Sequence, residues 1–465
     1  MSNVRSAAVP PPASPAKPDP VPQAAGPPAS DPQFPCFMVH RHGQNTDFFG
    51  REEELLKLDQ FLIHPHAGDL TIRRYALCGM GGIGKTDLAL QFAHTRRDKF
   101  QAVFWVDAAE KSQIATEFAA IAPKLGLVAP SEAQDIVTCR ERFKAWLEAS
   151  EDIRADERAK RGIPWLLIFD NVDDLALLEN YYPDRGAGSI LITSRDPNAK
   201  IFWSFQITGL DLDPFSESEA ARFVKRITAC DDTEEENKAC AVMAKHLGCL
   251  PLAIIQMAGV IRRRDLSIQE FNILLDTDEK YAKIRDVENP MQLRRYGSTL
   301  ATAWNFDDLE SDPLNLLKII SLLSPDRMQE LLFSNAEATP KNGFSFLGSE
   351  DALQEARQHL TNSSIIKRDR KSKELWIHRV VSKEVRARMN DDEFQSIFQV
   401  VVKLLAGVWP FNALEQRHST SRWAACEMYF PHLECLMKFQ VEKSSKLKPC
   451  ETDFTLATLL QEAGA

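Results

Sequence analysis

One octapeptide constrains this chain more than any other feature: Gly79-Met80-Gly81-Gly82-Ile83-Gly84-Lys85-Thr86. It fits G-x-x-x-x-G-K-[ST], follows the apolar run Arg73 to Cys78 and leads into a stretch of helical period, Lys85 to Thr95. Strand, glycine loop and helix in that order build a phosphate cradle. The glycines remove the Cβ atoms that would keep the backbone off a phosphate, so consecutive N–H groups can converge on it. The helix N-terminus adds partial positive charge, Lys85 adds a full one reaching the β- and γ-phosphates, and the Thr86 hydroxyl is placed to ligate Mg²⁺.

A cradle of this kind needs a carboxylate at the end of a buried strand. Trp165-Leu166-Leu167-Ile168-Phe169-Asp170 supplies an apolar strand ending in Asp170, the expected Mg²⁺ partner of Thr86. A further strand, Ser189 to Thr193, ends in Ser194-Arg195, and a cation at a strand's C-terminal edge faces the crevice where such sheets bind nucleotides. Arg195 is therefore the candidate γ-phosphate sensor. Lys85, Asp170 and Arg195 form the expected catalytic set. Strands are also expected at Ala102 to Val106 and Phe202 to Ile207, with helices at Ile114 to Leu125 and Glu132 to Glu148 between them. Alternating strands and helices make a doubly wound parallel α/β sheet.

The surrounding chain shows several composition changes along its 465 residues. Eleven of its 26 prolines fall between Pro10 and Pro35, so residues 1–45 are expected to form a disordered tail or linker, with the α/β domain running over 46–212. Beyond Ile207 the strand signals fade. Ser216-Glu217-Ser218-Glu219 reads as a capping box opening a helix; more helix follows over Lys238 to Leu247 and, past Gly248-Cys249-Leu250-Pro251, over Leu252 to Arg263. This predicts a helical domain over 213–290. In 291–390, helices precede a hairpin whose strands, Ser364 to Ile366 and Leu375 to His378, flank the charged turn Lys367 to Lys373, the pattern of a winged helix. Over 391–465 the pattern is helical again, with Phe394, Ile397, Phe398, Val401, Leu404 and Leu405 on one face.

With these elements in order, residues 46–390 resemble the NB-ARC family of signalling ATPases, which includes plant disease-resistance proteins and apoptotic protease activators. Phe49-Gly50-Arg51-Glu52 is similar to the family's opening motif beside the adenine, and Gly248 to Ala253 to its G-L-P-L motif, whose proline packs near the nucleotide. Ile377-His378-Arg379 stands where the family often has Met-His-Asp. The resemblance implies an ATP/ADP and Mg²⁺ site made by Gly50, Arg51, Gly79 to Thr86, Asp87 and Pro251, with His378 reading the β-phosphate of ADP in a closed state. Two departures stand out. Arg379 replaces the acid, and Asn171 replaces the acidic residue that many relatives carry behind the Mg²⁺ aspartate. An amide cannot accept a proton, so hydrolysis should be slow unless Asp173 or Asp174 substitutes. The C-terminal region is similar to the approach to tetratricopeptide repeats in fungal-type relatives; a repeat takes about 34 residues and needs neighbours, so no repeat array fits in what remains.

These readings point to a nucleotide-driven switch, closed with ADP and open with ATP, that self-assembles and meets protein partners through its C-terminal helices. A small-molecule kinase and a nucleotide-holding regulator without effector or sensor are the rivals. The net charge of −10 argues against nucleic acid or an anionic membrane as partner, even with the basic run Lys367 to Lys371 in the hairpin. Nine cysteines without a C-x-x-C pair, and no signal peptide, place the chain in the cytosol. His64-Pro65-His66 has no Cys or acidic cluster beside it to complete a metal site.

Overall fold

The computed structural model describes residues 34–39, 45–63, 71–148, 164–186, 188–202, 208–275, 304, 306–334, 344–411, 422–444, 447–448 and 452–463. His64 to His66, and most of the expected tail, lie outside these residues.

Apolar runs too short for helices become strands buried on both faces. Six of them, β1 (Cys36–Met38), β2 (Arg73–Cys78), β3 (Ala102–Asp107), β4 (Trp165–Asp170), β5 (Gly188–Ser194) and β6 (Gly209–Asp211), form one parallel sheet in the order β1-β3-β4-β5-β2-β6. Alternate residues face two cores. Leu77, Trp105, Leu166 and Ile168 pack with Leu58 and Leu62 of α1 (Glu52–Leu62) and Leu88 and Phe92 of α2 (Lys85–Thr95). Ala76, Phe104, Leu167 and Phe169 pack on the other face with Ile114 and Phe118 of α3 (Lys111–Ala119) and Phe143 and Trp146 of α5 (Ile136–Glu148). Each fully buried Leu or Phe stabilises the fold by about 1.5–3 kcal/mol.

The α/β part differs from the sequence reading in several places. Strand β1 extends it with Cys36 to Met38, residues assigned to the tail, and α1 was not anticipated. Of the strand expected at Phe202 to Ile207, Phe202 is in a bend and 203–207 lie outside the described residues; the strand beside β2 is β6. The helix expected over Ile114 to Leu125 breaks at Ala120 into α3 and α4 (Ile121–Lys124), because Pro123 has no N–H to continue the ladder. The helix expected from Glu132 begins at Ile136, where the Asp135 carboxylate accepts from the Val137 N–H at 3.0 Å and the Thr138 N–H at 3.3 Å and so caps it.

The helical part comprises α6 (Glu217–Thr228), α7 (Glu234–His246), α8 (Pro251–Arg264) and α9 (Ile268–Leu274). Ser216 and Glu219 form the capping box read from the sequence, and Pro251 occupies the first turn of α8. Next come α10 (Ser311–Ser321), β7 (Met328–Gln329), α11 (Glu350–Asn362), the hairpin β8 (Ile366–Asp369) and β9 (Glu374–Ile377), and α12 (Arg379–Arg388). The three strands form an antiparallel sheet in the order β7-β9-β8. The hairpin turn is shorter than expected, since Lys367 pairs with Trp376 and Asp369 with Glu374. Charged residues on its solvent side are compatible with a half-buried strand. Helices α13 (Asp391–Val408), α14 (Trp423–Glu442) and α15 (Thr452–Ala463) complete the described chain, with the six periodic residues of α13 all buried. Among the described residues no helix is long and apolar enough to cross a membrane.

Candidate functional site

Strand order places the chemistry. Because β5 lies between β2 and β4, its C-terminal residues Thr193 to Arg195 sit between the glycine loop after β2 and Asp170 at the end of β4. Asp170 Oδ1 accepts from Thr86 Oγ1 at 2.9 Å and from Thr193 Oγ1 at 2.5 Å. Thr193 Oγ1 in turn accepts from the Asn171 N–H at 2.9 Å, across a left-handed Asn171 with φ 63°. Asp170 and Thr86 thus meet as a carboxylate and hydroxyl pair of hard oxygens, the donor chemistry Mg²⁺ selects.

The loop itself is shaped for an anion. Gly79, Gly82 and Gly84 take φ of 145°, 79° and 99°, which side chains resist. A Cβ on Gly82 would come within 2.9 Å of Leu252, and one on Gly79 within 3.0 Å of the Leu212 carbonyl oxygen. Lys85 Nζ folds back onto its own loop, donating to Gly79 O at 2.7 Å and Met80 O at 3.1 Å. Burial, and next the charge of Arg195, push the Lys85 ammonium down to about 8. The charges of Asp173 and Asp170 oppose this shift without cancelling it, so a polyphosphate with Mg²⁺ fits these residues. Lys85, Thr86, Asp170 and Arg195 are the residues that would hold it.

The residues expected near the base have other partners. Gly50 and Arg51 both adopt left-handed backbone, with φ of 66° and 70°. Arg51 is buried beneath the loop: Nη2 donates to Ile83 O at 3.3 Å and Asp213 O at 2.7 Å, Nη1 pairs with Glu54 at 3.0 Å, and the guanidinium lies 4.6 Å from the Phe215 ring centre. These contacts brace the loop from below. Asp87 accepts from Asn45 Nδ2 at 3.0 Å. Met80 and Ile83 are buried apolar residues of the loop, and Gly81 completes it. Pro251 starts α8 so that the next residue docks on the loop, Leu252 N–H donating to Gly82 O at 3.2 Å.

The hairpin unit reaches the same site from outside. Ser364 Oγ donates to the Arg195 carbonyl, and Lys367 pairs with Asp213. His378 caps α12, its Nδ1 accepting from the Val380 N–H at 3.3 Å, so the proton is on Nε2, which donates to Gly248 O at 2.8 Å. Both ring nitrogens therefore bind protein, and His378 joins two chain segments. Desolvation pushes its pKa down to about 4. Arg195 Nε lies 3.6 Å from Asp173 Oδ2.

Sequence reasoning missed Thr193 as the donor to Asp170, and Ser364, Lys367 and Asp213 altogether. The hydroxyl at the end of β5 was a legible signal for the first; contacts between distant segments leave no local pattern for the others.

Comparison with known proteins agrees with this geometry. Residues 51–228 match the NB-ARC domain, and residues 304–394 match a domain of unknown function (DUF7779). A nucleotide-binding leucine-rich repeat (NLR)-like protein of Hyaloscypha variabilis is 26% identical over 429 residues, 86% of this chain and 40% of that protein. The ToMV susceptible protein tm-2 of Solanum lycopersicum is 24% identical over 261 residues, 52% of this chain and 28% of that one. The chain thus spans less than half the length of these relatives. Among solved structures, the Walker-type ATPase PABY2304 of Pyrococcus abyssi aligns with 75% of this chain and 99% of its own at 14% identity and a TM-score of 0.44. The NB-ARC match takes in the glycine loop, Asp170 and Arg195 together, and residues 51–228 form a nucleotide-binding P-loop domain of the NB-ARC type.

Proposed function

We propose that the chain is an ATP/ADP switch, closed with ADP and Mg²⁺ and opened by ATP, hydrolysing slowly and self-assembling when open. One observation carries this reading: the hairpin and the residues flanking it are tied to the surroundings of the phosphate loop, among other contacts by Ser364 to Arg195, Lys367 to Asp213 and His378 to Gly248. A metabolic kinase has no need of a distant unit bolted to its sensor residue, whereas a switch does. In this reading the helix, strand, helix and hairpin order of 291–390 is a winged helix, and the C-terminal helices α13 to α15 offer surfaces to protein partners. Arg368 pairs with Glu330 and Lys367 with Asp213, so two cations of the basic run are engaged with carboxylates instead of presenting a stripe to nucleic acid. The eight described cysteines are free thiols, as a protein working in the cytosol would keep them.

The test is the nucleotide carried by the purified protein, released by denaturation and resolved by chromatography, beside Lys85→Ala. Stoichiometric ADP in the wild type and none in the variant is the expected result. A rise in solution mass when ADP is exchanged for a non-hydrolysable ATP analogue is the second. Identical mass and proteolysis patterns in both nucleotides would end the switch reading.

A further inference from the structure

Behind Asp170 stands the uncharged Asn171, and two acids follow it in sequence, Asp173 and Asp174. The structure separates them. Asp174 is committed locally: its carboxylate accepts from the Ala176 N–H at 3.0 Å and caps the 3₁₀ turn Leu175–Asn180. Asp173 turns toward the site. Its Oδ2 lies 3.6 Å from Arg195 Nε, and its Oδ1 accepts from the Arg195 N–H at 3.4 Å. Its side chain keeps 42% of its surface open to solvent, so water reaches the carboxylate. Asp173 also acts on Lys85 through its charge, alongside Asp170, which puts it within the field of the glycine loop.

We propose that Asp173 is the second carboxylate of the phosphate site: it holds Arg195 while no γ-phosphate is present, and it accepts the proton of the attacking water once Arg195 turns to the γ-phosphate. The inference rests on the nucleotide-switch reading above. Its chemistry balances without an oxidant or reductant. The water oxygen bonds to the γ-phosphorus, the bond from that phosphorus to the bridging oxygen breaks with its electron pair staying on ADP, and the water proton passes to Asp173 and then to solvent. Asn171 can do neither task, since an amide side chain is uncharged and takes no proton. A nucleotide with a γ-phosphate must draw Arg195 off a carboxylate, so Asp173 also lowers the affinity for ATP relative to ADP.

Three variants test this: Asp173→Asn, Asn171→Asp and the two together, each measured for binding of a non-hydrolysable ATP analogue and of ADP with Mg²⁺, and for single-turnover ATP hydrolysis. For Asp173→Asn we expect hydrolysis to fall by about 10²-fold, the lower end for a lost general base. We expect its affinity for the ATP analogue to rise several-fold with ADP affinity unchanged, a shift that a merely structural role would not produce. Asn171→Asp in the Asp173→Asn background should restore hydrolysis. Wild-type hydrolysis in Asp173→Asn, or equal weakening of both nucleotides, would overturn the proposal while leaving the switch intact. If the wild type binds neither nucleotide and matches Lys85→Ala, the switch reading fails and this inference with it.

Discussion

Gly248→Ala should loosen the junction between the helical part and α12, and the cost can be worked out from the structure. Gly248 has φ 57°, so alanine there meets the left-handed penalty of roughly 1–2 kcal/mol. Its new Cβ would fall 2.4 Å from His378 Cε1 and 2.6 Å from Nε2, so the ring must leave. His378 then loses the bond to Gly248 O, and a buried N–H left without a partner costs about 1–3 kcal/mol. The backbone penalty falls on open and closed forms alike; the ring penalty falls on the closed form alone and should shift the balance about 5- to 150-fold. Hydrogen exchange at the first turn of α12, where the Val380 N–H binds His378 Nδ1, reads that shift directly. In a His378→Ala background the same glycine change should cost only its backbone share. Equal cost in both backgrounds would refute the role given to this pair.

Two further predictions follow from the same geometry. His378 is pushed to about 4 from an ordinary 6.5, so its contribution to the closed form is fully present above pH 6.5 and is lost as pH falls toward 4, by up to ~1.4 kcal/mol per pH unit. Buried His432 shifts in the same direction, so the measurement is the difference in acid unfolding between wild type and His378→Gln, which should show the shallower loss. Thr193→Val removes the hydroxyl that donates to Asp170 at 2.5 Å; Mg²⁺ dependence of nucleotide binding should weaken 10- to 100-fold, the usual range for an outer-shell partner, with unchanged far-ultraviolet circular dichroism.

How much of this was legible depends on how local the cause is. The glycine loop, the end of β4 and the capping box at Ser216 are each set by a few adjacent residues, and the structure has them where the sequence placed them. Strand β1 was not legible: Cys36 to Met38 is too short to show a period, and it is a strand because it pairs with β3. The motif around Arg51 did not announce that its guanidinium is fixed by Ile83 and Asp213, the second of them 162 residues away. The His378 contact with Gly248 spans 130 residues, and nothing near His378 in sequence announces it. Asp173 and Asp174 are alike in sequence, and it is the helix cap at Ala176 that occupies the second of them.

These three ties differ in what they can contribute to the proposed switch. Lys367 and Asp213 are 62% and 67% exposed, so their pair is worth about 0–1 kcal/mol. The Ser364 and His378 hydrogen bonds contribute about 0.5–1.5 kcal/mol each. Together these three contribute roughly 1–4 kcal/mol to the proposed closed form, and a ligand offsets them only by discriminating between the two states by as much. ADP and ATP differ by one phosphoryl group, and in the proposed binding mode that group meets Arg195. Ser364 holds the carbonyl of this residue, while Asp173 faces its guanidinium. A γ-phosphate that pulls the guanidinium away from Asp173 therefore acts on the very residue that anchors the hairpin unit, and a nucleotide without that group leaves the anchor in place.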